Sequence, residues 1–364
     1  MKFALSDEQI SLRDAARAFL AELPGPHAMT EQDGAYNADA WSRIVGEQGW
    51  TSILIPADHG GWGFGRMEMA VVLEEAGRKL TPSPLFSTVA LGVTAIDTLG
   101  SDAQKAEQLA AIAGGATATL AHEGAVVARR DGDGWVLGGE SVRVIDGDTA
   151  EIVVVWTDAG AFVVTGGTLA DAQAARSLTR ARVPGLDTTR PLATLRFDGL
   201  RLSDDARLPG EDLNRVLLSA GLLLAAEQVG GAEDVLDVTV DYTKVRKQFG
   251  KPIGSFQAIQ HACADMLVLV ESARSAVWYA AWAMDVGAPD AELAVRTAKA
   301  LASDAYFRCA GSAIQLHGGI GFTWEHVCHL HFKRARAGMA LLGEPSVHRA
   351  AVAAAMLDGD SAWT

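Results

Sequence analysis

The sequence predicts an α+β protein, with an N-terminal α-helical domain, a central antiparallel β-domain and a C-terminal helix bundle. Two observations carry this. Apolar residues recur at helical spacing through the first and last thirds, whereas from Thr117 glycines punctuate short β-branched runs. The changes of pattern divide the 364 residues into 1–116, 117–211 and 212–364, lengths that each suit one domain. With 49% hydrophobic residues the chain can bury cores of that extent.

The elements follow in order. "LSDEQISLRDAARAFLAEL" opens a helix with Ser6 as N-cap and Gln9 three residues on. Ile10, Leu12, Ala15, Ala16 and Phe19 make its apolar stripe. "GWTSILIPADHGGWGFG" is a Gly-rich connection; its "GGWGFG" lacks the strand–helix context of a dinucleotide fingerprint. "MEMAVVLEEAGRKL" is a second helix, ended by "TPSP", and "DAQKAEQLAAIAGG" a third. "GWVLGGESVRVI", "EIVVVWT", "AFVVTGG", "ARVPGL" and "ATLRFDGLRL" read as strands, and the β-domain closes near "LPGEDL". A long apolar helix then runs from Leu213, followed by helices over "SFQAIQHACADMLVLVESARSAVWYAAWAMD", "DAELAVRTAKALASDAYFRCAGSAIQLHG" and "PSVHRAAVAAAML".

Composition narrows the function. A net charge of −14 and a pI near 5.1 disfavour general binding to nucleic acid or anionic membrane, while leaving room for a local basic pocket. Cys263, Cys309 and Cys328 form no CxxC, and each sits in an apolar helical context, which suits a reducing, cytoplasmic compartment. "MKFALSDEQI" has no apolar signal core, and no run is expected to reach transmembrane length.

Three stretches carry candidate chemistry. In "VRKQFGKPIG", Arg246 either satisfies the carbonyls of a helix end or forks onto a pyrophosphate while Phe249 packs a flat ring. In "QLHGGIGF", Gly318 and Gly319 either cap a helix or admit a ligand to the backbone, and Gln315 can bond an adenine or ribose. "WEHVCHLHF" gathers His326, Cys328, His329 and His331; the spacing follows no standard zinc pattern, so no metal is assigned and helix-surface or interface histidines are expected. Glu227, in the apolar "LLLAAEQVGG", is either a buried base or the partner of an arginine or a backbone group.

Together these stretches resemble the acyl-CoA dehydrogenase family. "YTKVRKQFGKPIGSFQAIQHACADM" and "QLHGGIGFTWEHVCHLHFKRARA" are similar to its most recognisable segments, and the similarity runs nearly end to end. The resemblance implies an α-domain, a β-domain and a four-helix bundle, with FAD at a subunit interface of dimers or tetramers. It implies α,β-dehydrogenation of an acyl-CoA, in which a glutamate takes the α-proton and the flavin accepts the β-hydride. It assigns Arg246, Phe249, Gln315, Gly318 and Gly319 to the FAD diphosphate and adenosine of a neighbouring subunit.

The chain departs from the family where the chemistry happens. Leu342 stands before Gly343 where the usual base would be, and Asn214 stands before Arg215 at the alternative base position. The Thr/Ser-Glu-Pro-Gly loop is shortened to "LAHEGA". In the flavin-covering strand, Ser141, Arg143 and Ile145 replace the usual Lys, Trp and hydroxyl residue. The expectation is a non-catalytic subunit of an α2β2 heteromer that lends half of an FAD site to a homologous catalytic partner. Heteromers of this kind act on CoA thioesters of steroid side chains, and an electron-transfer flavoprotein is a candidate acceptor. Two alternatives stay open: a homomeric enzyme with a displaced base, at Glu227, Glu325 or Glu344, and a non-redox hydratase or scaffold.

Overall fold

A computed structural model describes residues 4–27 and 36–358. The N-terminal part holds α1 (Asp7–Glu22), α2 (Ala38–Arg43), α3 (Arg66–Arg78), α4 (Thr94–Leu99) and α5 (Asp102–Ala113). Strands follow: β1 (Ala118–Ala121), β2 (Gly124–Asp131), β3 (Gly134–Ile145), β4 (Ile152–Thr157) and β5 (Gly160–Thr165). Helix α6 (Gly166–Ala174) precedes β6 (Leu178–Val183), β7 (Leu192–Ser203) and β8 (Arg207–Leu208). The C-terminal part holds α7 (Leu213–Val245), the two-residue strands β9 (Lys247–Gln248) and β10 (Lys251–Pro252), α8 (Gln257–Val286), α9 (Ala291–His317), α10 (Cys328–Ala340) and α11 (Pro345–Asp358).

Helix starts follow local chemistry. Ser6 Oγ accepts from the Gln9 amide at 3.2 Å while Gln9 Oε1 accepts from the Ser6 amide at 3.0 Å. Ser101 and Gln104 repeat the arrangement at α5. The buried face of α1 is Ala16, Phe19 and Leu20. Ile10, expected in that stripe, is 37% exposed, so only the later turns of α1 are covered.

The described residues group into two compact units. One comprises those of Met1–Pro26, Gly65–Thr81 and Gly221–Thr364. Within it α3 and α7 cross with their backbones in contact. A Cβ on Gly77 would lie 2.0 Å from the Glu227 carbonyl oxygen, and one on Gly230 would lie 1.7 Å from that of Glu74. Ion pairs surround the crossing: Arg17 grips Glu75 through two bonds, at 2.8 and 2.9 Å, and Arg274 holds Glu74 at 2.8 Å. Val235, Val270, Tyr306, Cys309 and Ala313 fill the apolar centre.

The other unit comprises the described residues of His27–Phe64 and Pro82–Ala220. It contains two four-stranded sheets, ordered β1-β4-β5-β8 and β2-β3-β7-β6, around a core that includes Leu137, Val155, Phe162, Leu195 and Phe197. All pairs are antiparallel except β1–β4, which is parallel and corrects the purely antiparallel reading. In β7 burial alternates through Ala193, Leu195 and Phe197, then changes parity to Leu200 and Leu202. Gly199, at φ +76°, is the extra residue that shifts the register there, inside the strand rather than at its edge.

Contrary to the sequence expectation, one helix among the described residues, α7, is long and apolar enough to cross a membrane by length and composition; its most apolar stretch is 83% buried in the fold.

Candidate cofactor-binding site

Helix α7 ends in a tight ribbon. The Arg246 amide donates to Tyr242 O at 2.9 Å, and Arg246 O accepts from the Ile253 amide at 2.8 Å. Strands β9 and β10 then pair across Phe249 and Gly250, with Gln248 opposite Lys251. Both turn residues have positive φ, +52° and +80°. That is the two-residue hairpin geometry in which glycine is at ease and phenylalanine is strained. The strained Phe249 is 91% exposed. The helix-capping alternative for Arg246 required its guanidinium to reach terminal carbonyls. Its guanidinium instead has no partner among the described residues, and the side chain is exposed.

Helix α9 ends beside this ribbon. Tyr242 lies one turn before Arg246, stacks on His317 at 4.4 Å between ring centroids and donates its hydroxyl to His317 O at 3.3 Å. His317 sits between Gln315 and Gly318, so this contact brings the two expected segments to the same end of the unit. Gln315, Gly318 and Gly319 are exposed. A Cβ at Gly318 or Gly319 would meet nothing within 4 Å, so no internal crowding demands glycine there. Gly318, at φ +64° and ψ −142°, adopts backbone that glycine alone takes easily. Sequence reasoning missed Tyr242 and His317 as the fastening; the one signal was the i, i+4 spacing of Tyr242 and Arg246 on a helix.

The base positions carry no carboxylate. Leu342 is half-buried at φ +56°, and its carbonyl accepts from His348 Nε2 at 3.0 Å. Buried Lys299 donates to the next carbonyl, Gly343 O, at 3.4 Å. Asn214 is exposed in the first turn of α7. Of the displaced candidates, Glu227 is held by Arg334 at 3.1 Å, in line with its reading as an arginine's partner. Glu344 is exposed, as is Glu325, whose pKa is lowered by its backbone and Thr323 hydrogen bonds. A lowered pKa weakens a base.

In the other unit, only His122 and Glu123 link β1 to β2. Glu123 O accepts from Ser141 Oγ at 2.7 Å and from the Val142 amide at 2.9 Å. Arg143, at φ +55° where β3 bulges, grips the Glu123 carboxylate with Nε at 2.6 Å and with a terminal nitrogen. Ile145 is buried, and its carbonyl accepts from Thr119 Oγ1 at 2.6 Å. The three substituted positions of β3 are thus tied to this chain's own short loop and core.

The histidine-rich stretch separates. His331 is buried with Nδ1 2.7 Å from the Tyr306 hydroxyl and Nε2 3.2 Å from Asp234. His329 is buried and donates to Trp324 O at 3.2 Å. Both correct the expectation of surface or interface histidines, since this turn of α10 is buried within the chain itself. His326 and Cys328 remain together, and His317 joins them.

The comparisons agree on kinship. Residues 6–116 match the family "Acyl-CoA dehydrogenase, N-terminal domain" and residues 214–357 match "Acyl-CoA dehydrogenase, C-terminal domain". The chain is 36% identical to acyl-CoA dehydrogenase IpdE2 of Mycobacterium tuberculosis, over 93% of this chain and 94% of that one. Among solved structures it is similar to the ChsE4–ChsE5 complex of Mycobacterium tuberculosis, with a TM-score of 0.89 and 26% identity, covering 99% of this chain and 100% of that one. It is also similar to a variant of the Tcur3481–Tcur3483 steroid ACAD, with a TM-score of 0.87 and 28% identity, covering 97% and 98%.

Proposed function

The chain belongs to the acyl-CoA dehydrogenase family, and from that premise we propose that it is the non-catalytic subunit of a heteromeric, FAD-dependent acyl-CoA dehydrogenase. It lends a diphosphate and adenosine site to a homologous catalytic partner, in an α2β2 assembly. The contrast between two arginines carries the reading. Arg246 faces outward with no partner among the described residues, whereas Arg143 is tied to Glu123 where the family would cover a flavin ring. The first arrangement fits FAD; the second does not.

FAD supplies the hydride acceptor in this family. Arg246 would fork onto the diphosphate, Phe249 would pack against a flat ring, Gln315 would bond the adenosine, and Gly318 and Gly319 would admit its backbone-close approach. Proton abstraction falls to the partner, because Leu342 and Asn214 cannot accept a proton at the two base positions. The acyl-CoA is bound mainly by the partner. Its acyl group is a steroid side chain, a substrate class named by the steroid ACAD to which this chain is similar. Electrons pass to an electron-transfer flavoprotein, and the complex works in the cytoplasm, where three unpaired cysteines stay reduced.

Co-expression with a family member that carries the base is the test. The expected product is a mixed complex with one FAD per pair of unlike chains, active only when mixed. A chain that purifies alone with a full complement of FAD and oxidises an acyl-CoA overturns the reading.

A further inference from the structure

One cluster of ligand-type side chains lies beside the candidate flavin site, where the end of α9 meets the start of α10. One ring nitrogen each from His317 and His326 and the Sγ of Cys328 lie within 4.8 Å of one another. Two of these residues lie two positions apart in the histidine-rich stretch; the third arrives from the end of α9, so no spacing rule could have assembled them. The Cys328 Sγ stands 3.7 Å from His317 Nδ1. Bonds of about 2.0–2.1 Å to nitrogen and about 2.3 Å to sulfur place tetrahedral donors roughly 3.3–3.8 Å apart, so donors that lie within 4.8 Å of one another close on an ion through shifts of about 1 Å.

The hydrogen bonds around the cluster favour a cation. His317 Nδ1 donates to Ala313 O at 2.8 Å. That is the second-shell bond that fixes the tautomer of a ligating histidine and leaves the lone pair on Nε2. Nε2 is buried and has no partner, while the residue is only 3% exposed. A buried unpaired ring nitrogen is costly unless something fills the position. His326 Nδ1 now accepts the Cys328 amide at a long 3.3 Å, a bond that ligation would replace. The thiol is pushed up to about 12 by burial, so binding has to expel its proton to solvent.

We propose that His317, His326 and Cys328 bind one zinc-type divalent cation, which closes the turn carrying Gly318 and Gly319. The set of two imidazoles and one thiolate suits borderline d-block ions and excludes magnesium and calcium, which require oxygen ligands. Three protein ligands leave a fourth position on the side of His326, which is half-exposed. The site does not depend on the subunit reading, because it uses this chain's residues alone.

Cobalt(II) is the probe, titrated into full-length chain stripped with a chelator. The expected result is one Co²⁺ per chain, with tetrahedral ligand-field absorption and a thiolate-to-cobalt charge-transfer band. His326→Ala should weaken binding at least roughly tenfold and abolish the rise in Tm that Zn²⁺ gives the native chain. Cys328→Ser should remove the charge-transfer band. If that buried substitution fails to fold, the half-exposed His326→Ala decides alone. An octahedral spectrum without a thiolate band, or binding unaffected by His326→Ala, overturns the site.

Discussion

Arg246 and Arg143 share a side chain and differ in what their neighbours leave for it to do. Because nothing among the described residues pairs with the Arg246 guanidinium, its loss should cost the fold little and the cofactor much. Arg246→Ala in the assembled complex removes a charge-assisted, forked contact worth about 1.5–3 kcal/mol, or roughly tenfold to hundredfold in FAD affinity. The flavin-to-protein ratio should fall, the Tm of the chain alone should not, and excess FAD should restore activity. Arg246→Lys should recover only part of it, since an ammonium cannot fork. A lowered Tm with unchanged flavin would instead return Arg246 to helix capping. Leu342→Glu supplies a carboxylate but leaves Arg143 on Glu123, so the chain alone should remain inactive with any acyl-CoA; turnover there would mean the strand site had been misread. At this scale the sequence was informative where a residue acts outward. Arg246, Phe249 and Gln315 needed only their local setting to be recognised. Tyr242 and His317 were hidden because their role is a contact between segments some 75 residues apart.

Elements were legible where a local rule decides them. The capping box at Ser6 stands as the sequence implied and the structure adds a second at Ser101; Ser101→Ala should lower stability by about 1 kcal/mol in chemical denaturation. Elements set by tertiary partners were not. Helix α6 begins at Gly166 and Gly167, which the sequence reading places at the end of the strand run "AFVVTGG", and β1 pairs in parallel with a strand that is remote in sequence. The crossing of α3 and α7 belongs to the same class: two glycines in apolar helices look like weak points until the helices meet there. A methyl group at Gly230 would sit 1.7 Å from Glu74 O, and backbone cannot move aside as a side chain can. Gly230→Ala should therefore cost about 3 kcal/mol, the upper end of overpacking, despite alanine's better helix propensity. A Tm equal to or above that of the parent chain would show that the helices can separate without penalty.

Over the whole molecule, each compact unit draws on segments far apart in the chain, which a reading along the sequence cannot see. The segment before the strands is tied to them inside one unit: Ser87 Oγ donates to Asp146 at 2.5 Å, and Thr88 Oγ1 accepts the Ala118 amide at 3.2 Å. Removing residues 117–210 strands those groups and the buried face of Val89, Ala90 and Leu91, so the truncated chain should be poorly soluble. Each unit also holds a histidine, half-buried His122 in one and buried His348 in the other, that should make it sensitive to acid. Burial lowers the pKa of His122 in one unit and of His348 in the other. His348 must stay neutral at Nδ1, which is buried without a partner, while Nε2 holds Leu342 O. Both native pKa values lie below the unfolded value of about 6.5. The stability they contribute is therefore complete above that pH and is lost as pH falls, because the unfolded chain then binds the extra protons. Each group can withdraw at most about 1.4 kcal/mol per pH unit in that window. Thermal unfolding should move to lower temperature from pH 6.5 towards 5. His348→Gln and His122→Gln should each flatten the slope, and the double variant should flatten it further, because the two groups lie in different units and titrate independently. A native chain whose Tm is constant across that range would show that neither ring is held neutral.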